Sequence, residues 1–153
     1  MPAIDELPAR TRHRLRAVIA TVLMLLATGC GDSMELAPVQ GSVTYKGQPL
    51  KFGTVLFQHP SGGQPAHGEI QPDGTFTLST YGGGEGARFG QNKVSIHCYE
   101  SQDPAKAATK KSGEQSLGAL LIPPRYTMFN TSGLVAEVKP EGNEPIVFEL
   151  TER

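Results

Sequence analysis

The chain of 153 residues carries 14 basic and 15 acidic side chains, a formal net charge of −1, and 38% hydrophobic residues. The lack of a basic surplus argues against nucleic acid as a partner. The length suits one domain with a single hydrophobic core. Two cysteines, Cys30 and Cys98, allow at most one disulfide.

The N-terminal segment has the three parts of a secretory signal peptide. Four arginines between residues 10 and 16 precede the short apolar or small-residue run 17–28, and Gly29-Cys30 closes it. The run is shorter than the roughly 20 residues that cross a bilayer. We therefore expect a helical signal peptide over residues 1–29. An ordinary cleaved signal and an uncleaved anchor are the alternatives.

The end of this segment, Ala27-Thr28-Gly29-Cys30, resembles the bacterial lipobox. The resemblance implies that Cys30 is acylated and becomes the first residue of the mature protein, anchored to a membrane and exposed outside the cytoplasm. Several acyl chains on one cysteine hold a protein firmly. Without residues 1–29 the chain keeps 10 basic and 13 acidic residues, a net charge of −3. An acylated Cys30 leaves no intramolecular disulfide.

Beyond a short polar tether, residues 30–37, the pattern is one of strands and turns. Apolar residues alternate with polar ones between Gly, Pro and Asp, as in half-buried strands. Seven short strands are predicted, at residues 39–45, 54–58, 67–70, 75–79, 93–100, 134–138 and 146–150. Strands of this length and spacing are typical of an antiparallel β-sandwich. We expect one such domain over residues 38–153.

Two strand pairs are expected to form hairpins, and one face of each strand is expected to form the core. Gln71-Pro72-Asp73-Gly74 presets φ at proline and allows positive φ at glycine. Pro140-Glu141-Gly142-Asn143 lies between the last two strands. The inward-facing residues predict a core of Val43, Phe57, Ile70, Phe76, Leu78, Val94, Ile96, Cys98, Leu134, Val138, Ile146, Phe148 and Leu150.

Several segments in order resemble bacterial transthyretin-like and carboxypeptidase-regulatory-like domains, over about residues 38–151. They are Gln40–Leu50, Gly53–Phe57, Gly68-Glu69-Ile70, Asp73–Phe76, Gly86-Ala87, Ile122–Tyr126 and Thr131–Leu134. The resemblance implies a prealbumin-like sandwich of seven or eight strands that serves as an accessory or adhesive module rather than an enzyme. Some transthyretin-like proteins hydrolyse 5-hydroxyisourate, but this chain lacks their Tyr-Arg-Gly-Ser terminus, so that activity is the least favoured alternative.

The sequence predicts no catalytic, cofactor-binding or metal-binding residues. His59, His67 and His97 lack metal-ligand spacing. No G-x-S-x-G motif supports a serine nucleophile, and the glycine run 82–86 lacks the Lys-Ser/Thr of a phosphate loop. Cys98 alternates with apolar residues, which indicates a buried, unreactive thiol.

These features predict a non-catalytic, membrane-anchored envelope lipoprotein that acts as a structural or protein-interaction module. Its candidate contact surface is the flexible Tyr81–Gly90 loop together with a long mobile loop, residues 101–120. Solvated spacers are the alternative for both loops. A carbohydrate-binding module is the second hypothesis, with Tyr81, Phe89 and Tyr99 as candidate stacking residues. The possible partners are therefore envelope proteins or polysaccharide.

Overall fold

The computed structural model describes residues 35–107 and 116–152. The predicted signal peptide, Cys30 and most of the tether lie outside the described residues. Within the described part, no helix is long and apolar enough to cross a membrane.

The described chain is almost entirely strands and turns. The strands are β1 (Leu36–Ala37), β2 (Gln40–Tyr45), β3 (Gln48–Pro49), β4 (Thr54–Gln58), β5 (Ala66–Glu69), β6 (Thr75–Thr77), β7 (Ala87–Arg88), β8 (Gly90–His97), β9 (Leu134–Val138) and β10 (Ile146–Leu150). Helical turns occur at Glu100–Gln102, Pro104–Ala107 and Pro124–Thr127. Each strand of three residues or more overlaps one of the seven predicted strands, but β8 begins and ends three residues earlier than the predicted 93–100 and β6 ends two residues before the predicted 79.

Two sheets of four strands pack into a β-sandwich, which confirms the predicted fold class. One sheet has the order β5-β4-β8-β9 and is antiparallel throughout. In the other sheet β10 lies beside β2, while β3 and β6 both pair with β2 as well. The pair β2–β10 is parallel, with Ile146 opposite Gly41. A separate two-stranded pair joins β1 to β7.

The predicted terminal hairpin is wrong. Strand β9 pairs with β8 in one sheet, whereas β10 pairs with β2 in the other. The local turn does form, because Gly142 N–H donates to the Lys139 carbonyl at 3.3 Å. The connection then continues across the sandwich, and the Asn143 side chain donates to the Pro38 carbonyl at 3.2 Å. Alternation of apolar and polar residues shows which face of each strand is buried. It does not show whether two consecutive strands pair in one sheet or pack their apolar faces against each other from opposite sheets.

The hairpin predicted at residues 71–74 is half correct. Gly74 N–H donates to the Gln71 carbonyl and Gln71 N–H to the Thr75 carbonyl, both at 2.8 Å, and Gly74 has a φ of 87°. The strands then join different sheets, since β5 pairs with β4 and β6 with β2. They stay close to each other, because a Cβ at Gly68 would overlap the Thr77 carbonyl oxygen and His67 forms a bridge with Ser79. The turn therefore links the two sheets at one side.

Three phenylalanines join the sheets at the centre of the core. The Phe148 ring centroid lies 6.0 Å from that of Phe57 and 6.2 Å from that of Phe76, and the latter two are 6.5 Å apart. These separations are typical of favourable aromatic pairs. The predicted core is confirmed, except that Leu134 and Ile146 are only partly buried against it.

Gly41 is required by this packing. A Cβ at this position would overlap the Ile146 carbonyl oxygen and lie 2.8 Å from Cζ of Phe76. Strand β2 therefore leaves space for a ring from β6 and for the close approach of β10.

Replacing Phe148 by alanine should lower the free energy of unfolding by about 3–5 kcal/mol, because it removes a buried ring and leaves a cavity between the sheets. Val147→Ala on the same strand is the matched control. Val147 is 58% exposed, so its truncation should cost less than about 0.5 kcal/mol. Urea unfolding measures both values, and equal losses would contradict the assigned faces of β10.

Candidate functional site

The strand directions divide the loops between two ends of the sandwich. We call the end where β1 enters the near end and the opposite end the far end. The near end contains residues 59–65, 78–89 and 139–145, and the far end contains residues 46–53, 70–74, 98–104 and 117–121. Strand β8 connects the two ends, and its eight residues span about 23 Å.

The three aromatic residues proposed for ligand stacking do not form one surface. Tyr81 and Phe89 lie at the near end, while Tyr99 follows β8 at the far end. Phe89 packs partly against the core, whereas Tyr81 is 54% exposed. The loop 81–90 and the described parts of the loop 101–120, residues 101–107 and 116–120, accordingly lie at opposite ends of the sandwich.

The near-end glycine loop is organised by Glu85. Its carboxylate accepts hydrogen bonds from the Ser79 hydroxyl at 2.8 Å, from Gly83 N–H at 3.0 Å and from Tyr81 N–H at 3.3 Å. Gly82 N–H donates to the Ser79 oxygen at 2.7 Å. Hydrogen bonds from its own backbone N–H and from Ser79 lower the pKa of Glu85 to about 2. The Glu85 carboxylate thus accepts hydrogen bonds from backbone N–H groups of its own loop.

A second near-end feature is a contact between the β4–β5 turn and β7, which the sequence did not reveal. The Ser61 hydroxyl oxygen lies 2.7 Å from Nδ1 of His59 and accepts a hydrogen bond from Nη1 of Arg88 at 2.8 Å. Ser61 and Arg88 are 27 positions apart, so no local motif could have shown it. We call these three residues the His59–Ser61–Arg88 cluster.

This cluster places a serine hydroxyl beside an imidazole, as a nucleophile and its base would be, but here the imidazole stabilises a turn. Nδ1 of His59 also accepts the backbone N–H of Ser61 at 3.2 Å. The same ring nitrogen therefore caps the turn two residues later, in the manner of other side-chain-to-backbone turn bonds.

The far end contains a cleft of about 410 Å³, within the size range of small-ligand sites. Half-buried Phe52 lines it together with hydroxyl, amide, amine and carboxylate groups of Thr54, Gln71, Gln102, Lys51 and Glu69. The other lining residues are Gly53, Ile70, Pro72 and Pro104.

Hydrogen bonds fix the polar wall of this cleft. Gln102 accepts from Tyr99 N–H at 2.8 Å and donates to the Thr54 hydroxyl at 2.9 Å. Gln71 donates to the Glu69 carbonyl at 3.3 Å. Hydrogen bonds within the protein therefore hold this wall in place. No local sequence pattern could reveal the cleft, because its lining residues come from three separate segments, residues 51–54, 69–72 and 102–104.

The long loop beside the cleft is closed at its base. Leu121 N–H donates to the Cys98 carbonyl at 2.8 Å, Glu100 N–H to Ala119 at 2.9 Å and Ser101 N–H to Leu117 at 3.1 Å. Residues 117–121 thus pair with the continuation of β8 rather than hanging free. A Lys106–Glu100 ion pair of 2.9 Å extends the ordered part, and residues 108–115 lie outside the described residues.

The histidines are distributed over the domain. His59 lies at the near end and His97 at the far end, where it pairs with Thr54, and His67 pairs with Leu56 between them. Burial lowers the pKa of His97. In the described part of the chain, no group of three or more His, Cys, Asp or Glu side chains is arranged to hold a metal ion.

Cys98 is buried at the end of β8, which confirms its predicted place in the core. Burial raises the pKa of the thiol to about 11, with a smaller contribution from the carboxylate of Asp103. Both effects disfavour the thiolate, the reactive form.

The raised pKa of Cys98 gives a stability signal at alkaline pH. A folded-state pKa above the unfolded one contributes stability that is complete below about pH 9 and disappears as the pH rises through about 11. Compared with Cys98→Ala, the wild-type protein should therefore lose more unfolding free energy between pH 8 and pH 11. Urea unfolding at both pH values tests this, and rapid labelling of the folded thiol would contradict it.

Searches against protein-family models, curated proteins and solved structures found no match to this chain.

Proposed function

We propose that the protein is a non-catalytic cell-envelope lipoprotein, anchored through acylated Cys30, whose domain is a structural or protein-interaction module. The two-sheet sandwich supports the resemblance to transthyretin-like and carboxypeptidase-regulatory-like domains. The observation that carries the proposal is the separation of the two ends. The tether enters at one end, while the built cleft and the closed loop lie at the other.

The short tether limits how far the near end can lie from the lipid. Glu35, the first described residue, is five positions after Cys30, a reach of at most about 18 Å when fully extended. An acylated Cys30 therefore holds the near end close to the lipid surface. The far end then projects away from the membrane.

The far end has the properties of a contact surface. Exposed Leu117 (57%) and Leu121 (40%) stand on a segment whose backbone is paired with residues 98–101. Ordered backbone lowers the entropic cost of binding. Together with the adjacent cleft they offer an apolar and polar surface for an envelope partner.

Photo-crosslinking in the native envelope tests this orientation. A photoreactive amino acid at Lys51, on the far-end cleft, should yield adducts with a protein or polysaccharide. The matched position is Glu141, an exposed residue at the near end, which should yield lipid adducts or none. Protein adducts at Glu141 with none at Lys51 would overturn the orientation.

The anchor is tested separately by the mass of the N-terminal peptide. The expected peptide begins at an acylated Cys30, and residues 1–29 are absent. An unmodified Cys30 or a retained Met1 would refute the anchor whatever the crosslinking shows.

Carbohydrate is a second candidate ligand, and the far-end cleft favours it. Amide, carboxylate, amine and hydroxyl groups surround the half-buried ring of Phe52, and a ring with such groups provides both an apolar face and hydrogen bonds for a sugar. This cleft replaces the three aromatic residues proposed from the sequence as the place to look for glycan binding.

Glycan-array binding distinguishes the two locations. Phe52→Ala and Gln71→Ala should each reduce binding about tenfold or more, since each removes a ring contact or a hydrogen bond from the cleft. Tyr81→Ala, which removes an exposed aromatic side chain at the opposite end, should leave binding unchanged. Loss with Tyr81→Ala alone would locate glycan binding at the near end.

A further inference from the structure

The hydrogen bonds within the His59–Ser61–Arg88 cluster leave N–H donors of the imidazole and the guanidinium unused by the cluster. A backbone N–H always donates, so the bond from Ser61 N–H to Nδ1 of His59 (3.2 Å) means that this nitrogen carries no proton. The neutral ring then carries its proton on Nε2. The Ser61 hydroxyl donates to Nδ1 and accepts from Arg88. The remaining groups, Nε2–H and the other guanidinium N–H groups, are all donors.

The Ser61 hydroxyl holds the Arg88 guanidinium in place, but no described carboxylate forms an ion pair with it. The ion pairs found among the described residues are Lys46–Glu152 and Lys106–Glu100, and no described carboxylate lies within 4.0 Å of the Arg88 guanidinium. The nearby loop carboxylate, Glu85, is occupied by Ser79 and by backbone N–H groups. A guanidinium held by a hydroxyl, with free N–H groups in a planar fork, matches the geometry of a phosphate.

The cluster is open to solvent at the near end. Ser61 is exposed, His59 and Arg88 are half-buried, and a Cβ added at Gly62 would meet no atom within 4 Å. A ligand can therefore reach the turn that carries these side chains.

We propose that the His59–Ser61–Arg88 cluster binds a phosphate group, and that the phosphate belongs to a lipid headgroup of the membrane that holds the protein. Arg88 lies directly opposite Leu36 in the β1–β7 pair. Leu36 is six residues after Cys30, a reach of about 20 Å. This lipid source rests on the proposed anchor, whereas the phosphate chemistry does not. Free inorganic phosphate has the same chemistry and is the competing source.

The test uses the mature lipidated chain purified in maltoside micelles, which contain no phosphate. Inorganic phosphate is titrated while the ring and backbone NMR signals of His59 and Ser61 are followed. A saturable shift is expected. Arg88→Gln should weaken it about tenfold or more, since a charge-assisted hydrogen-bonding group is lost. Lys46→Gln, which removes an exposed cation at the far end outside the cleft, should leave it unchanged.

The source is identified by moving the same protein into lipid discs. Phospholipid discs should produce the phosphate-bound shift without added phosphate, and phosphate-free galactolipid discs should not. An unsaturable response, or equal responses in wild type and Arg88→Gln, would overturn the site. A response to inorganic phosphate but not to phospholipid discs would overturn the headgroup assignment. The N-terminal peptide mass of the same sample shows independently whether the anchor is present.

Discussion

The contact among Phe57, Phe76 and Phe148 is the constraint on which the rest of the structure depends. Each ring comes from a different strand, and the three together fasten one sheet to the other. The core has no described disulfide to support it, because Cys98 is a free buried thiol. Burial of apolar surface must therefore offset the entropy of ordering the chain. The close fit at Gly41 follows from the same packing, as does the crossing of β10 to the second sheet.

Much of the fold could be predicted because alternation is a local signal. Phe76 sits between two threonines, and Phe148 alternates with Ile146 and Leu150 on one side of its strand, so the strand and the buried face of each followed from a few residues. The sheet to which a strand belongs is a nonlocal property. Ile146 pairs with Gly41, and nothing in residues 140–150 distinguishes that partner from β9. The terminal hairpin was predicted wrongly for this reason.

The site was harder to predict than the fold for a related physical reason. Phe89 and Tyr99 are close in sequence but lie at opposite ends of an extended strand. Gln71 and Gln102 are distant in sequence but line one cleft. Extended strands separate neighbours in the chain by about 3.3 Å per residue, so proximity in sequence indicates little about shared surfaces in a sandwich. Polar residues in loops show no periodic pattern, so the sequence does not indicate which of them lie together.

The parallel pairing of β2 and β10 has a consequence for the chain during its synthesis. The partner of β2 along one edge is supplied by residues 146–150, more than a hundred positions later. Any shorter fragment leaves β2 as an open strand edge able to pair with other chains, and pairing over so long a separation is slow. A chain that is still being made therefore cannot close its sandwich until its last strand is available.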